Sequence, residues 1–137
     1  MYKYQKRYRY IGCFVDKGEL DETISYIPRN KLPKEIEDTH ITFMYKPRRV
    51  DESLFGTPIK VTITKYGCDK DNEGLLVKLS SEDPRINEMI SHIPKPHITL
   101  SVSDTGRAVN TRYLDFVDIP ETCITGRFGG FCTLKTE

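Results

Sequence analysis

The sequence predicts an α+β fold in which most of the strands pair as an antiparallel sheet. Several segments alternate between apolar and polar residues, as strands with one buried face do. Two other segments have apolar residues at helical spacing, and the segment DKDNEG at 69–74 has the composition of a tight hairpin turn. The order is strand, helix, histidine strand, hairpin, helix, histidine strand and final strand, which predicts an α+β fold. The length predicts that residues 1–137 form a single domain.

In the first half of the chain, a strand is predicted at 7–15, where apolar residues alternate with polar or small ones. Cys13 falls on the apolar face of this strand and Tyr10 on the opposite face. A helix is predicted at 16–26, because its apolar residues recur at helical spacing, and two prolines end it. A polar loop then leads into a strand that begins at His40.

The second half follows from the same signals. A helix is expected before His97, with Ser80 or Ser81 as its N-cap, because serine side chains accept hydrogen bonds from the first free N–H groups of a helix. The predicted elements, in chain order, are a basic loop at 46–49, a helical turn at 51–55, a strand at 59–68, the hairpin turn at 69–74, a strand at 75–79, a helix at 84–92, a strand that begins at His97, a polar loop through 106–110 and a last strand at 123–134. Each half therefore has a helix that leads into a strand beginning with histidine.

Those two strands carry the same short phrase. His40-Ile41-Thr42-Phe43 is followed 57 residues later by His97-Ile98-Thr99-Leu100, and the phrases open with two of the three histidines of the chain. Residues two apart on a strand point to the same face, so each histidine is expected beside the threonine of its own phrase. Histidine is the side chain whose charge changes near neutral pH. Two histidines with matching hydroxyls therefore suggest acid–base chemistry at a phosphate.

Strict alternation also assigns the residues that follow each phrase. Tyr45 is predicted on the core face of the first strand, and Met44 on the face of His40. In the second strand, Ser101 is predicted to share the face of His97 and to offer a further phosphate donor.

The composition excludes several classes of protein. No segment approaches the roughly 18 apolar residues of a membrane-spanning helix, and no signal peptide is visible. We therefore expect a protein of the cytoplasm, either of the cell that makes it or of a host cell, with no membrane contact and no evident need for a protein partner. The four cysteines form no Cys-x-x-Cys pair and are expected to be reduced thiols.

The first ten residues, MYKYQKRYRY, contain four cationic residues, four tyrosines and no acidic residue. Interleaved cations and aromatic rings are what a nucleotide-binding edge needs, since cations bind phosphates and rings stack on bases. A first strand with a solvated polar face would have the same composition. Tyr10 is expected to stack on a base if this strand lines the site.

The two His-x-Thr phrases, one in each half of a small α+β chain, resemble the two-histidine (2H) phosphoesterase superfamily. Its members include RNA 2′,3′-cyclic phosphodiesterases, 2′-5′ RNA ligase-like proteins and viral enzymes that degrade 2′-5′ oligoadenylates or cyclic oligonucleotide signals. The resemblance implies two lobes of mostly antiparallel strands, related by a pseudo-twofold, with both phrases facing a central cleft. It implies that His40 and His97 are the catalytic acid and base and that Thr42 and Thr99 bind the phosphate.

The function expected from the residues and the resemblance is a metal-independent phosphodiesterase that needs no cofactor. Its substrate is expected to be RNA or a nucleotide with a 2′,3′-cyclic phosphate, a 2′-5′ linkage or a cyclic oligonucleotide, and the sequence does not choose among these. By analogy with the viral members, a compact enzyme of this kind would suit the destruction of a cyclic nucleotide immune signal. The alternative is a non-catalytic RNA- or nucleotide-binding module that uses the same cleft. A metal site is not favoured, because no acidic residue shares the faces of the two histidines.

Overall fold

The structure is a computed structural model that describes the backbone of residues 4–136 and the side chains of residues 7–132. The side chains of residues 1–6 lie outside the described residues, so the choice there between a nucleotide-binding edge and a solvated polar face stays open. The elements, in chain order, are β1 (Tyr4–Val15), α1 (Lys17–Ile24), β2 (Lys34–Glu35), β3 (His40–Tyr45), a 3₁₀ helix (Glu52–Leu54), β4 (Pro58–Cys68), β5 (Asn72–Ser80), α2 (Pro84–Ser91), β6 (His97–Val102), a second 3₁₀ helix (Ala108–Tyr113) and β7 (Val117–Thr136).

The seven strands form one sheet in the order β2-β6-β5-β4-β7-β1-β3. Every strand pair within residues 4–136 is antiparallel, which confirms the predicted α+β class with a mostly antiparallel sheet. β3 lies at one edge and β6 lies next to the other edge, yet these two strands contact each other. The sheet must therefore curve strongly, as the twist of antiparallel strands allows. This curvature brings the two histidine strands together.

The core lies where the alternating strands and the helices meet. In β4, Ile59, Val61 and Ile63 are almost completely buried, as their alternation predicts. In α1, Leu20 and Ile24 pack into the same core one helical turn apart. The order of the sheet places β5, β4, β7 and β1 between the two histidine strands.

One turn and one helix cap differ from the sequence prediction. The hairpin turn is shorter than 69–74, because the Asp69 carboxylate accepts hydrogen bonds from the backbone N–H groups of Asp71 and Asn72 and closes it early. β5 therefore begins at Asn72. Helix α2 is capped by Asp83, whose carboxylate accepts a hydrogen bond from the N–H of Arg85, and not by Ser80 or Ser81.

Two short elements were not predicted from the sequence. The pair of residues in β2 gains its strand character only by pairing with Ser101 and Val102 of β6. The loop expected through 106–110 ends at Arg107, where the second 3₁₀ helix begins at Ala108 and packs against β5 and β6. Both elements depend on tertiary contacts, which local periodicity does not encode.

The two histidine strands share a local irregularity. In β3 the register shifts so that Phe43 is the extra residue, and in β6 it shifts so that Leu100 is the extra residue. These are the same position of the repeated phrase. A β-bulge of this kind interrupts the alternation of side chains after it. The predictions for Met44, Tyr45 and Ser101 assumed strict alternation through this point.

Candidate active site

The structure brings His40, Thr42, His97, Thr99 and Tyr10 together around one small cleft. The cleft has a volume of about 130 Å³ and is completed by Ile36, Tyr45 and Ala108. β3 supplies the first histidine and threonine, β6 supplies the second pair, and β1 supplies the tyrosine. Five of the six side chains named from the sequence therefore line one cavity, although four strands separate β3 from β6 in the sheet.

The two imidazoles are held in the same way. Nδ1 of His40 lies 2.8 Å from the carbonyl oxygen of Asp38. Nδ1 of His97 lies 3.0 Å from the carbonyl oxygen of Lys95. A carbonyl oxygen can only accept, so each Nδ1 donates its hydrogen and Nε2 is the nitrogen left to exchange a proton. Each ring is thus fixed in one tautomer by the backbone two residues before it.

Both imidazoles are poised in their neutral form. Burial lowers the pKa of His40, against the opposing effects of the Asp38 hydrogen bond and the Asp38 charge. Burial also lowers the pKa of His97. There the hydrogen bond to Lys95 opposes the shift, and the positive charge of Arg112 adds to it. The charge of His40 lowers the pKa of His97 further, so the two imidazoles interact electrostatically. A neutral imidazole with a free Nε2 can act as a general base.

His40 is held by aromatic rings as well as by its hydrogen bond. The ring of Tyr10 is stacked on it, with 4.3 Å between centroids and 9° between planes. The ring of Phe14 lies 5.8 Å away at 34°. The ring of Tyr10 is also stacked with that of Phe131, with 5.6 Å between their centroids. The sequence predicted that Tyr10 stacks on a base, and the structure places its ring against a catalytic candidate.

The threonine of β6 belongs to a hydrogen-bonded chain. The Oγ1 atoms of Thr99 and Thr111 lie 2.8 Å apart, and the Thr99 hydroxyl donates to the carbonyl oxygen of Ala108 over 3.2 Å. Asn72 donates in turn to Thr111 Oγ1 over 3.1 Å. Since Thr111 accepts from Asn72, its own hydrogen can be donated to Thr99 Oγ1. The hydrogen of Thr99 then points to the Ala108 carbonyl oxygen, and it can turn from there to a phosphate oxygen in the cleft. Sequence reasoning missed Asn72 and Thr111, which carry no motif.

The threonine of β3 is in a different state. Thr42 is half-buried at the cleft, and its hydroxyl has no hydrogen-bond partner among the side chains at 7–132. Its hydrogen is therefore available to an anion without breaking an existing bond. The two halves of the cleft match in their histidines but differ in how their threonines are held.

Ser101 does not line the cleft. It is fully buried, donates to Glu73 Oε1 over 2.7 Å and accepts from the N–H of Leu32. The bulge at Leu100 interrupts the alternation between Thr99 and Ser101 and explains this placement. The same irregularity in β3 explains why Tyr45, predicted in the core, lines the cleft, and why Met44, predicted beside His40, does not.

Glu73 itself is a buried carboxylate in the segment that the sequence predicts as the hairpin turn. It is 0% exposed and accepts two hydrogen bonds from Arg29, at 2.7 and 2.8 Å, and one from Tyr66 at 2.6 Å. Burial would raise the pKa of Glu73, but the hydrogen bonds from Arg29, Tyr66 and Ser101 outweigh burial and hold the pKa below its usual value. Through Ser101, this network holds β6, the strand that carries His97.

The remaining candidate groups lie elsewhere. The third histidine, His92, is exposed at the end of α2, where Nε2 lies 3.0 Å from Glu88 Oε1.

Within residues 7–132, no group of three or more His, Cys, Asp or Glu side chains is arranged to hold a metal ion. All four cysteines are free thiols, and Cys13 is buried. No helix in the described part of the chain is long and apolar enough to cross a membrane.

The chain was compared with known proteins. No protein-family model matches it, and no curated protein matches it.

Proposed function

We propose that this protein is a 2H-type phosphodiesterase that cleaves a nucleotide phosphodiester by general acid–base catalysis with His40 and His97. One observation carries the proposal. Two imidazoles from separate halves of the chain line the same cleft, and each has its Nδ1 bound to a backbone carbonyl two residues earlier. A buried histidine that serves only packing has no need of a matching partner across a cavity.

The chemistry needs one group to take a proton and another to give one. One imidazole, neutral at Nε2, removes a proton from the attacking hydroxyl group or water. The new O–P bond forms as the bond from phosphorus to the leaving oxygen breaks, and the second imidazole, protonated at Nε2, gives its proton to that oxygen. An anionic phosphate in the cleft favours this protonated state, because a nearby opposite charge raises the pKa of a base. The two roles exchange when the reaction runs in the opposite direction.

The threonines bind the phosphate in this proposal. The Thr42 hydroxyl has no hydrogen-bond partner among the described side chains, and Thr99 can turn its hydrogen from the Ala108 carbonyl to a non-bridging oxygen. Donors already in place where negative charge develops stabilise the transition state without reorganisation. Because two histidines supply both proton transfers, the scheme uses no metal and no cofactor.

The two halves also support the pseudo-twofold that this class of enzyme would have. Each histidine strand is bulged at the residue after its threonine and pairs that threonine with a glycine of the neighbouring strand, Gly12 opposite Thr42 and Gly74 opposite Thr99. A repeated arrangement of this kind is what two related lobes around a central cleft would contain.

The test is hydrolysis in EDTA of a 2′,3′-cyclic nucleotide, 2′-5′ and 3′-5′ oligoadenylates, and cyclic di- and trinucleotides. The wild type is compared with His40→Ala and His97→Ala, and His92→Ala serves as the matched control, since that histidine is exposed and does not line the cleft. Each catalytic variant is expected to lose about 10²–10⁴-fold in kcat. Absence of turnover with every substrate, while His97→Ala changes only nucleotide affinity, would instead favour the binding module.

A further inference from the structure

A second, larger cavity adjoins the cleft. It has a volume of about 1000 Å³, against about 130 Å³ for the cleft, and the two cavities share Tyr10 and Tyr45 as lining residues. We refer to it as the basic groove. A cleft of the smaller size accommodates little more than a phosphate and part of a sugar, so a longer ligand with its reactive phosphate at the histidines would continue into this groove.

The basic groove is strongly cationic. Its lining includes Arg7, Arg9, Lys46 and Arg48, and Glu52 is the acidic residue that faces them. Arg9, Lys46 and Arg48 are exposed. None of these three forms a salt bridge with another side chain within residues 7–132. Their charge is therefore available to an anion with several charges.

The backbone brings these cations together. Lys46 follows β3 directly and has a φ of 49°, the only positive φ of a non-glycine residue in the described part of the chain. Its N–H donates to the carbonyl oxygen of Arg9 over 2.8 Å. This left-handed turn holds the loop that carries Arg48 against β1, and so places cations from two separate segments along one groove. A lysine in a conformation that favours glycine is consistent with a need for its side chain there.

Exposed aromatic rings line the same groove as the cations. Tyr45 is 58% exposed and Phe131 is 42% exposed, although large rings are usually covered. Both line the basic groove, and Tyr45 reaches the cleft as well. A positively charged groove combined with exposed aromatic rings is the combination by which proteins bind single-stranded nucleic acid with little sequence preference.

We propose that the basic groove binds the single-stranded oligonucleotide that adjoins the reactive phosphodiester, so that the preferred substrate is an oligonucleotide and not a mononucleotide or a small cyclic nucleotide. This inference rests on the proposed function, because it takes the cleft as the reacting end. A 3′-5′ strand ending in a 2′,3′-cyclic phosphate and a 2′-5′ oligomer would offer the same phosphates and bases.

The first experiment measures kcat/KM for adenosine 2′,3′-cyclic phosphate and for oligoadenylates of increasing length that end in a 2′,3′-cyclic phosphate, with a parallel series of 2′-5′ oligomers. The ratio of kcat/KM between the longest oligomer and the mononucleotide is expected to exceed tenfold in the wild type. Arg9→Gln and Arg48→Gln are expected to lower this ratio and to reduce the slope of log kcat/KM against log salt by about 0.7 per cation removed. Lys70→Gln, in the exposed hairpin turn, is the matched control and keeps the ratio.

The second experiment measures binding without turnover. A fluorescent oligoadenylate with a 3′-phosphate is titrated with His40→Ala, alone and combined with Arg48→Gln or Phe131→Ala. Both second substitutions are expected to weaken binding severalfold, and an abasic strand of the same length is expected to bind more weakly than the oligoadenylate. Circular dichroism and the Tm of each variant show that it is folded.

The outcomes separate the two proposals. Length-independent turnover that neither arginine substitution changes would overturn the basic groove and leave the phosphodiesterase standing. No turnover of any substrate, with Arg48-dependent oligonucleotide binding, would overturn the phosphodiesterase and keep the groove. Equal competition by poly-glutamate and oligonucleotide would show a site for any polyanion and would overturn the assignment to nucleic acid.

Discussion

The ring of Tyr10 lies flat on the ring of His40, with 4.3 Å between their centroids and 9° between their planes. Tyr10 comes from β1 and His40 from the neighbouring edge strand β3, so the stack joins two strands at the mouth of the cleft. An edge strand has only one neighbour to hold it. The stack therefore adds a constraint on His40, because β3 is paired with a strand on one side only, whereas β6 is paired on both sides.

Loss of this stack is expected to lower kcat. A stacked aromatic pair contributes about 0.5–1.5 kcal/mol beyond its buried area, so Tyr10→Ala should reduce kcat by roughly twofold to tenfold. Tyr10→Phe preserves the ring and should retain most of kcat. The measurement is steady-state kinetics on a 2′,3′-cyclic mononucleotide, which does not extend into the basic groove. Equal loss in both variants would show that the Tyr10 hydroxyl, and not its ring, is what the site requires.

The protonation of the two histidines gives a second prediction. The pKa values of His40 and His97 are expected below 6.5, because burial disfavours the charged form of each ring. The acidic limb of kcat/KM against pH should therefore have its midpoint below 6.5, since the base must be neutral. Arg112→Gln should raise the pKa of His97, because it removes a nearby positive charge. NMR titration of the imidazole Cε1–H signals measures both values.

His40 is the internal control in that titration, because Arg112 does not contribute to the shift of its pKa. A shift of both histidines by the same amount in Arg112→Gln would point to a change of structure, and would contradict the electrostatic explanation.

The depressed pKa values also predict how stability depends on pH. The unfolded chain binds protons at these histidines near pH 6.5, whereas the folded chain binds them only at lower pH. The unfolded state therefore holds more protons in this window, so the free energy of unfolding should fall as the pH drops below 6.5. Urea unfolding between pH 7.5 and 5 measures it. In the double variant His40→Ala and His97→Ala this part of the pH dependence should disappear.

The fold class and most of the residues that line the cleft could be predicted because their signals are local. Alternation located β1, β4 and β6, and a rare residue in a repeated phrase located His40 and His97. What the sequence could not supply was the register between strands. The bulges at Phe43 and Leu100 arise from pairing with β1 and β5, and they decide which later side chains reach the cleft.

Glu73 shows a second limit of sequence reasoning. It stands in a run of acidic, asparagine and glycine residues that is typical of an exposed turn, yet it is fully buried. Its partner Arg29 is 44 residues away in the chain, in a loop without regular periodicity. Burial of a charge depends on a partner that arrives through the tertiary fold, and composition near the residue does not reveal it.

The two glycines opposite the threonines should be intolerant of any side chain. A Cβ at Gly12 would collide with the carbonyl oxygen of Ile41, and a Cβ at Gly74 would collide with Thr111 and with the Ile98 carbonyl oxygen. Gly12→Ala and Gly74→Ala should each destabilise the protein by about 1–3 kcal/mol or more, since backbone cannot move aside as a flexible side chain does. They should also reduce turnover, because each collision displaces a histidine strand.

Gly18→Ala is the matched control for this pair. Gly18 is exposed within α1, where a Cβ would meet Asp16 Oδ1 at 3.4 Å. Alanine in place of a helical glycine should stabilise the protein by about 0.5–1 kcal/mol. Urea unfolding of the three variants compares them directly. Similar stability of Gly12→Ala and Gly18→Ala would mean that β1 and β3 are not as close as the structure has them.

The last prediction concerns the ion pair between Arg29 and Glu73, which is joined to β6 through Ser101. The Arg29 side chain is 16% exposed and makes two hydrogen bonds to the fully buried Glu73, so Arg29→Ala leaves a carboxylate in the core without its cation. Loss of one partner from such a pair costs about 3–5 kcal/mol. Lys31→Ala removes the nearby pair of Lys31 with Glu35, whose side chains are 55% and 51% exposed, and should cost no more than about 1 kcal/mol.

The pH dependence of the difference identifies its cause. The pKa of Glu73 in the folded chain lies below its ordinary value of 4.5, so its contribution to stability is present above pH 4.5 and is lost as the pH falls through the folded pKa. In Arg29→Ala the carboxylate lacks its cation, burial then raises its pKa, and the variant should lose less stability than the wild type on acidification. A stability difference between wild type and Arg29→Ala that stays constant from pH 7 to pH 3 would show that the cost comes from lost packing of the Arg29 side chain.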